Sequence, residues 1–133
     1  GLASKVKLLG RVPDDKVSAY YTACDIFCLS SIMKTEAFGI VQIEAMSLGR
    51  PVVATKIPGS GVSWVNDDGV SGVNVEPRDP DALANAFCEI TSSQEKYRKY
   101  SDGALARFNS LFTSDVMITR QLTCYKNILE AEI

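Results

Sequence analysis

Two glutamates separated by seven residues, Glu36 and Glu44, are the first candidates for chemistry in this chain. Between them, Gly39 stands at the start of an apolar segment with a helical period. The first amides of a helix have no intrahelical partner, and the helix dipole adds to their attraction for anions. The segment therefore predicts an anion site at the amides of Gly39, Ile40 and Val41, with the missing Cβ of the glycine allowing close approach.

The two carboxylates suit the recognition of hydroxyl groups, because each accepts several hydrogen bonds in fixed directions. Glu36 is expected just outside the helix, where the alternative is a solvated side chain that complements the dipole for about 0.3–1 kcal/mol. Glu44 has mostly apolar neighbours one helical turn away, so we expect a partly buried carboxylate that needs donors. A ribose diol would supply two such donors, and a neighbouring backbone or hydroxyl donor is the alternative.

Composition excludes several classes of function. The 133 residues suffice for one domain over residues 1–133, and a net charge of −2 disfavours nucleic acid as a partner. The sequence has no histidine and no C-x-x-C pair, so it predicts no zinc site and lacks the commonest general base. We interpret its four cysteines as reduced thiols of a cytoplasmic protein. No stretch of the sequence is long and apolar enough to span a membrane.

Short β-branched runs alternate with helical periods, a pattern typical of an α/β fold with an open parallel sheet. We predict strands at 6–9, 26–29, 51–55 and 72–75. Helices are predicted at about 13–23, 39–48 and 81–90, followed by two C-terminal helices at about 94–108 and 114–130. The loop at 30–37 then joins a strand to a helix, where such sheets place their ligands. Four strands are few for this architecture, so we expect a first βα unit upstream of the chain.

The order and spacing of these segments resemble those of the family-4 retaining glycosyltransferases. The matching signature is Glu36, seven residues, Glu44, a small-residue turn and Pro51-Val52-Val53. The segments 8–12, 23–27 and 68–77 are similar to the family's flanking strands and glycine hairpin. The resemblance implies the C-terminal half of a two-domain GT-B fold, with a Rossmann-like sheet covered by helices on both faces.

The resemblance also implies a nucleotide-sugar site. Glu36 matches the glutamate near the sugar hydroxyls and the diphosphate, which makes it the candidate catalytic residue, and Glu44 matches the carboxylate that binds the ribose. The other matching positions are Arg11 and Val12 beside the base, and Phe38, Gly39, Ile40 and Val41 at the loop and helix start that hold diphosphate and sugar. The chain departs from the family pattern at Ser30, where a proline is usual, and at Trp64, where a glutamate often follows the glycine turn.

The implied activity is transfer of a hexosyl group, with retention, from a nucleoside-diphosphate sugar. The segment 31–39 and the Gly59-Ser60-Gly61 turn look closest to bacterial enzymes of surface-polysaccharide and lipopolysaccharide synthesis, some of them mannosyltransferases, which favours GDP-mannose. A glycan or lipid-linked acceptor would be bound mainly by an N-terminal domain outside this chain. No cofactor or metal is implied, and we expect a cytoplasmic enzyme with peripheral association at the inner face of the plasma membrane.

Two alternatives stay open at this point. Another GT-B enzyme of nucleotide sugars, such as an epimerase, would share the nucleotide site, and a non-catalytic flavodoxin-like module would share the fold. A dinucleotide-binding domain is disfavoured, because no G-x-G-x-x-G follows a strand. The family's basic residues for the diphosphate lie upstream of this chain, so we expect the isolated chain to bind donor weakly and to transfer nothing.

Overall fold

A three-stranded parallel sheet organises the chain. The computed structural model describes residues 1–131, and the last two residues of the expected domain lie outside the described residues. The strands are β1 (Phe27–Leu29), β2 (Val52–Thr55) and β3 (Gly72–Val75), in the spatial order β1-β2-β3. Phe27 is in register with Val52, and Val52 with Gly72. The prediction of an α/β fold with an open parallel sheet is confirmed.

Residues 1–131 also form six helices: α1 (Asp14–Ala23), α2 (Ile40–Ser47), α3 (Val62–Val65), α4 (Pro80–Thr91), α5 (Gln94–Leu111) and α6 (Ser114–Ala131). Their ends follow the expected signals. Asp79 caps α4 by accepting a hydrogen bond from the Ala82 amide at 2.8 Å, and Gly49 follows α2 with a φ of +65°. Within residues 1–131, none of these helices combines the length and the hydropathy needed to cross a membrane.

The sheet is buried on both faces, as the unbroken apolar runs of its strands predict. All four residues of β2 are buried. On one face, Val52 and Ala54 pack against α2, α3 and α5, represented by Met46, Val62 and Ala104. On the other face, Val53 packs against α4 and α5, represented by Ala86, Ile90 and Tyr100. Helices therefore cover both faces, and the carboxyl ends of the strands are left for the connecting loops.

Two predictions about the elements are wrong. Residues 6–9 are not a strand: Val6 is 59% exposed, Leu8 is 92% exposed, and the segment joins no ladder of the sheet. Apolar composition gives only a preference for extended backbone, and a strand forms where a neighbouring strand supplies hydrogen bonds. The break expected at 109–113 is also shorter, because α5 continues to Leu111.

Candidate functional site

The start of α2 is the place at which an anion site is predicted. Gly39 occupies the N-cap position in the left-handed conformation, with φ 78° and ψ 54°, and its carbonyl oxygen accepts from the Gln42 amide at 2.9 Å. The amides of Ile40 and Val41 donate to no acceptor among residues 1–131. The Gly39 amide donates to Glu36 Oε1 at 3.0 Å. Two of the three expected amides are therefore open to an anion, and the third is held by the protein's own carboxylate.

The reason for glycine at position 39 differs from the expected one. A Cβ there would lie 2.5 Å from Gln42 Nε2 and 2.9 Å from Leu29 Cδ2, and the positive φ would strain any larger residue. Gly39 itself is buried. The glycine thus allows the loop to turn tightly against β1 and α2, which is a requirement of the fold. That its missing Cβ also serves the approach of a diphosphate stays a prediction.

Gln42 is a buried polar residue that the sequence analysis missed. Its side chain is fully buried, its Nε2 lies 3.5 Å from the Phe38 carbonyl oxygen and 3.4 Å from that of Val62, and its Oε1 has no donor among the described residues. The amide group therefore links the loop before α2 to α3. A polar residue on an otherwise apolar helix was the available signal, and Glu44 on the same helix drew the attention instead.

The loop that carries Glu36 is held by the glycine turn at 59–61. Ser60 Oγ donates to the Glu36 carbonyl oxygen at 2.6 Å, and the Gly61 amide donates to the Ala37 carbonyl oxygen at 2.7 Å. At the other end of the loop, Thr55 Oγ1 donates to the Ser31 carbonyl oxygen. Sequence reasoning missed Ser60 as a site residue, because the turn indicated only flexibility. In the structure this turn fixes the backbone next to the candidate catalytic carboxylate.

Phe38 and Trp64 form an exposed aromatic pair beside this loop. Their ring centroids are 5.9 Å apart, and the two side chains are 38% and 53% exposed. Phe38 lies so close to Gly61 that a Cβ there would come within 2.8 Å of its ring. Arg107 Cζ lies 5.7 Å from the centroid of the Trp64 ring, within the distance of a cation–π interaction. The family's usual glutamate after the turn is thus replaced by an apolar platform.

Glu44 is exposed, so the expectation of a partly buried carboxylate is wrong. The inward face of α2 is occupied by Gln42, Ala45 and Met46, all fully buried. Glu44 is two residues beyond Gln42 and therefore points to the opposite side of the helix, towards α1. There Tyr21 donates a hydrogen bond from its hydroxyl to Glu44 Oε2 at 2.9 Å. A neighbouring hydroxyl donor, the structural alternative considered for this carboxylate, is therefore present.

A cavity of about 570 Å³ lies between α1 and α2 and has Tyr21 and Glu44 on its wall. Its remaining lining residues are Asp14, Val17, Ser18, Val41, Ser47 and Leu48. Burial, the hydrogen bond to Glu44 and the charge of Glu44 raise the pKa of Tyr21 to about 12. The phenol is consequently protonated, and a hydrogen-bond donor, throughout the neutral range.

The predicted site residues are only partly brought together. Val41 and Glu44 share the cavity between α1 and α2, whereas Glu36 lines a second cavity of about 320 Å³ formed by the loop at 31–36. Arg11, exposed, and Val12, half-buried, precede α1 and line neither cavity. The candidate site residues of α2 and its preceding loop are therefore divided between two cavities, with Glu44 on one and Glu36 on the other.

Comparison with known proteins identifies the family. The sequence profile described as "Glycosyl transferases group 1" matches residues 1–107. This chain belongs to that family. Among curated relatives, the glycosyl transferase chain is 32% identical over 129 residues to O-antigen chain mannosyltransferase C of Escherichia coli, covering 97% of this chain and 34% of the relative. It is 31% identical over 109 residues to D-rhamnosyltransferase WbpZ of Pseudomonas aeruginosa, covering 82% of this chain and 28% of the relative.

Solved structures of glycosyltransferases share the fold. Sucrose-phosphate synthase from Thermosynechococcus elongatus superposes with a TM-score of 0.80 at 27% identity, covering 98% of this chain and 32% of that one. HepE of Anabaena in complex with UDP superposes with a TM-score of 0.76 at 29% identity, covering 95% of this chain and 33% of that one. The chain spans about a third of the length of the proteins it matches. The expected likeness to part of a GT-B glycosyltransferase is confirmed.

Proposed function

We propose that this chain binds the nucleotide-sugar donor of a retaining glycosyltransferase of the family-4 type. The observation that carries the proposal is the start of α2, where the unpaired amides of Ile40 and Val41 follow Glu36 and precede Glu44 along the chain. One helix end thus offers donors to an anion and acceptors to hydroxyl groups on either side. A nucleoside-diphosphate sugar has the matching groups in that order: ribose hydroxyls, diphosphate and sugar hydroxyls.

Each part of the donor has a proposed place. The diphosphate accepts hydrogen bonds from the amides of Ile40 and Val41. The sugar lies beside Glu36 and the aromatic ring of Phe38, while the ribose lies beside Glu44 in the cavity between α1 and α2. That cavity is large enough for a nucleoside, at about 570 Å³.

The base is proposed to lie near Arg11 and Val12. Asp14 lines the cavity and is only two residues beyond Val12. Residues separated by two positions are at most about 7 Å apart along the chain. The segment proposed to bind the base is therefore adjacent in the chain to a residue of the cavity wall.

In the proposed transfer the bond between the anomeric carbon and the diphosphate breaks, and its electron pair leaves with the diphosphate. The acceptor hydroxyl oxygen forms the new bond to the anomeric carbon, and its proton passes to the departing diphosphate. The amides and dipole of α2 are placed to stabilise that growing charge. Glu36 is the proposed catalytic residue of this chain, because it is the carboxylate on the sugar side. We further propose that transfer retains the anomeric configuration and needs no metal ion. The acceptor is proposed to bind to parts of the protein outside this chain.

The names of the relatives support a mannosyl donor. One curated relative is an O-antigen chain mannosyltransferase and another a D-rhamnosyltransferase. We therefore propose GDP-mannose as the donor and a glycan or lipid-linked acceptor of surface-polysaccharide synthesis. The four cysteines, none of them in a disulfide within residues 1–131, are compatible with work in the reducing cytoplasm, for which we propose the inner face of the plasma membrane.

Calorimetric titration of the full-length protein with GDP, UDP and ADP tests the proposal. GDP should bind most tightly, and Glu44→Ala should weaken it about tenfold while the melting temperature changes little, because Glu44 is exposed. Asp102→Ala, an exposed carboxylate on α5, is the matched control. Absence of binding by all three nucleotides would refute the proposal. Product analysis with GDP-mannose separates transfer from epimerisation.

The isolated chain of 133 residues gives a second test. We expect it to bind GDP weakly and to transfer no mannose, because the proposed acceptor site and further groups for the diphosphate lie outside it. Saturable, donor-dependent transfer by the isolated chain would contradict this division of the site.

A further inference from the structure

The hydroxyl of Tyr21 is the only group among residues 1–131 that donates a hydrogen bond to the Glu44 carboxylate. The two residues lie on different helices, Tyr21 in the last turn of α1 and Glu44 in the middle of α2. Since an ionised carboxylate can only accept, the phenol must be the donor. The bond therefore holds Oε2, and Oε1 accepts no hydrogen bond among residues 1–131, on a side chain that lines the cavity together with Tyr21.

Tyr21 is itself fixed before any ligand arrives. Its ring packs edge-on against Phe27, the first residue of β1, with centroids 5.5 Å apart and an angle of 68° between the planes. Its phenol stays protonated at neutral pH, because burial and the neighbouring Glu44 raise its pKa to about 12. The hydroxyl is therefore a permanent donor on a support that is continuous with the sheet.

Glu44, in contrast, is exposed, and the bond from Tyr21 is the one hydrogen bond that its side chain makes among residues 1–131. A long acidic side chain loses rotamer freedom when a ligand immobilises it, and that loss weakens binding. A donor that fixes the carboxylate in advance removes part of this cost. No local pattern indicates the pairing, because the two residues are 23 positions apart.

We propose that Tyr21 is a positioning residue that orients Glu44 towards the ribose hydroxyls of the nucleotide, acting through the carboxylate and not on the nucleotide itself. The inference rests on the proposed function, in which Glu44 binds the ribose. It predicts that loss of the Tyr21 hydroxyl lowers the affinity only for ligands that have ribose hydroxyls.

The test uses Tyr21→Phe in the full-length protein, which removes the hydroxyl and keeps the ring against Phe27. The dissociation constants of GDP and 2′,3′-dideoxy-GDP are measured by calorimetry for wild type, Tyr21→Phe and Glu44→Gln. Tyr20→Phe is the matched control, because Tyr20 is on the same helix, is 46% exposed and does not line the cavity. UDP and 2′,3′-dideoxy-UDP are titrated in parallel.

We expect Tyr21→Phe to lower the affinity for GDP about fivefold, a factor that corresponds to about 1 kcal/mol. The affinity for dideoxy-GDP should stay within about twofold of wild type. Glu44→Gln should weaken the binding of GDP at least as much. The double variant, Tyr21→Phe with Glu44→Gln, is titrated in the same way and should bind GDP no more weakly than Glu44→Gln alone, because the two residues act as one unit. Tyr20→Phe should bind both nucleotides like wild type.

Other outcomes overturn the inference in distinguishable ways. An equal loss for GDP and dideoxy-GDP in Tyr21→Phe would show a general structural role. If Tyr21→Phe leaves the GDP affinity unchanged while Glu44→Gln lowers it, Tyr21 does not position Glu44, and the proposed function stays intact. If the wild-type protein binds GDP and dideoxy-GDP equally tightly, Glu44 does not contact the ribose hydroxyls. The function proposed for Glu44 is then refuted as well.

Discussion

Glu36 accepts a hydrogen bond from the Gly39 amide, with 3.0 Å between Oε1 and the nitrogen. The carboxylate proposed for the sugar thus caps the helix proposed for the diphosphate. Its negative charge lies at the positive end of α2, where it stabilises the helix start. An arriving diphosphate meets this charge at the same helix end, so the sugar and phosphate functions of the site are coupled through Glu36.

Glu36→Ala should separate the binding of nucleotide from the binding of sugar. GDP affinity should stay within about threefold of wild type or increase, because removal of a neighbouring negative charge at about 4–6 Å favours an anion. Transfer from GDP-mannose should fall at least about 100-fold, and the loss of the cap should cost about 1 kcal/mol of stability. Calorimetry, initial rates and urea unfolding measure the three effects.

The exposed Lys34→Ala in the same loop is the control for Glu36→Ala and should change none of the three quantities appreciably. If GDP affinity falls as steeply as the rate in Glu36→Ala, the division between a sugar-side carboxylate and phosphate-binding amides is wrong.

Ser60→Ala should impair transfer more than nucleotide binding. The hydroxyl holds the Glu36 carbonyl oxygen at 2.6 Å, whereas the amides of Ile40 and Val41 do not depend on it. The same hydroxyl lies 3.2 Å from the Ala37 carbonyl oxygen and accepts from the Val62 amide at 3.2 Å. Loss of its bond to Glu36, at about 1 kcal/mol, predicts a fall of about fivefold in kcat/KM, with GDP affinity within about twofold of wild type. Ser63→Ala in α3 is the control, since Ser63 makes no side-chain hydrogen bond among the described residues. A lower GDP affinity with unchanged kcat/KM would contradict the prediction.

Gly72→Ala should disrupt the sheet. Gly72 pairs with Val52, and a Cβ on it would lie 1.7 Å from the Val52 carbonyl oxygen. Because that contact is with backbone, β2 and β3 must separate, and we expect a loss of more than about 3 kcal/mol or failure to fold. Gly59→Ala isolates backbone strain: its φ is +75° with nothing within 4 Å, so it should cost only about 1 kcal/mol. Urea unfolding that shows equal losses for the two variants would refute the distinction.

Tyr100 predicts a loss of stability in alkali. The side chain is 4% exposed and its hydroxyl donates to Glu89 Oε1; burial and this bond raise its pKa from 10.0 to about 12. The folded state therefore holds the proton more tightly than the unfolded state. This contribution is complete below pH 10 and is lost as the pH rises towards 12. Urea unfolding at pH 8 to 11 should show a shallower decline for Tyr100→Phe than for wild type, and identical slopes would exclude this role.

Local signals predicted α2 and its neighbours well. Three residues bound the helix and the strand after it: Gly39, Gly49 and Pro51. Each acts through its own backbone conformation, so the sequence alone indicates its effect. The same holds for Asp79, whose side chain caps α4 three residues on. Signals of this kind need no information from distant parts of the chain.

The strand predicted at 6–9 failed for the opposite reason. Strand formation depends on a partner that the sequence window does not contain, and Val6 and Leu8 are exposed in the structure. The burial of Glu44 was misjudged in a similar way. Apolar neighbours one turn away indicated a buried carboxylate, but the inward stripe of α2 runs through Gln42, Ala45 and Met46. Which stripe of an almost wholly apolar helix faces the core is decided by the elements packed against it.

The sequence by itself determined the three strands of the sheet, the helices α1, α2 and α4 to α6, and the glycine and glutamates at the start of α2. These follow from local backbone chemistry and fixed spacing. Only the tertiary structure decided that Ser60 holds the Glu36 loop and that Tyr21 holds Glu44, across 24 and 23 positions of sequence. Such contacts arise when the packing of helices on the parallel sheet brings distant segments within hydrogen-bond distance. The carboxylates were visible in the sequence, but the groups that orient them were not.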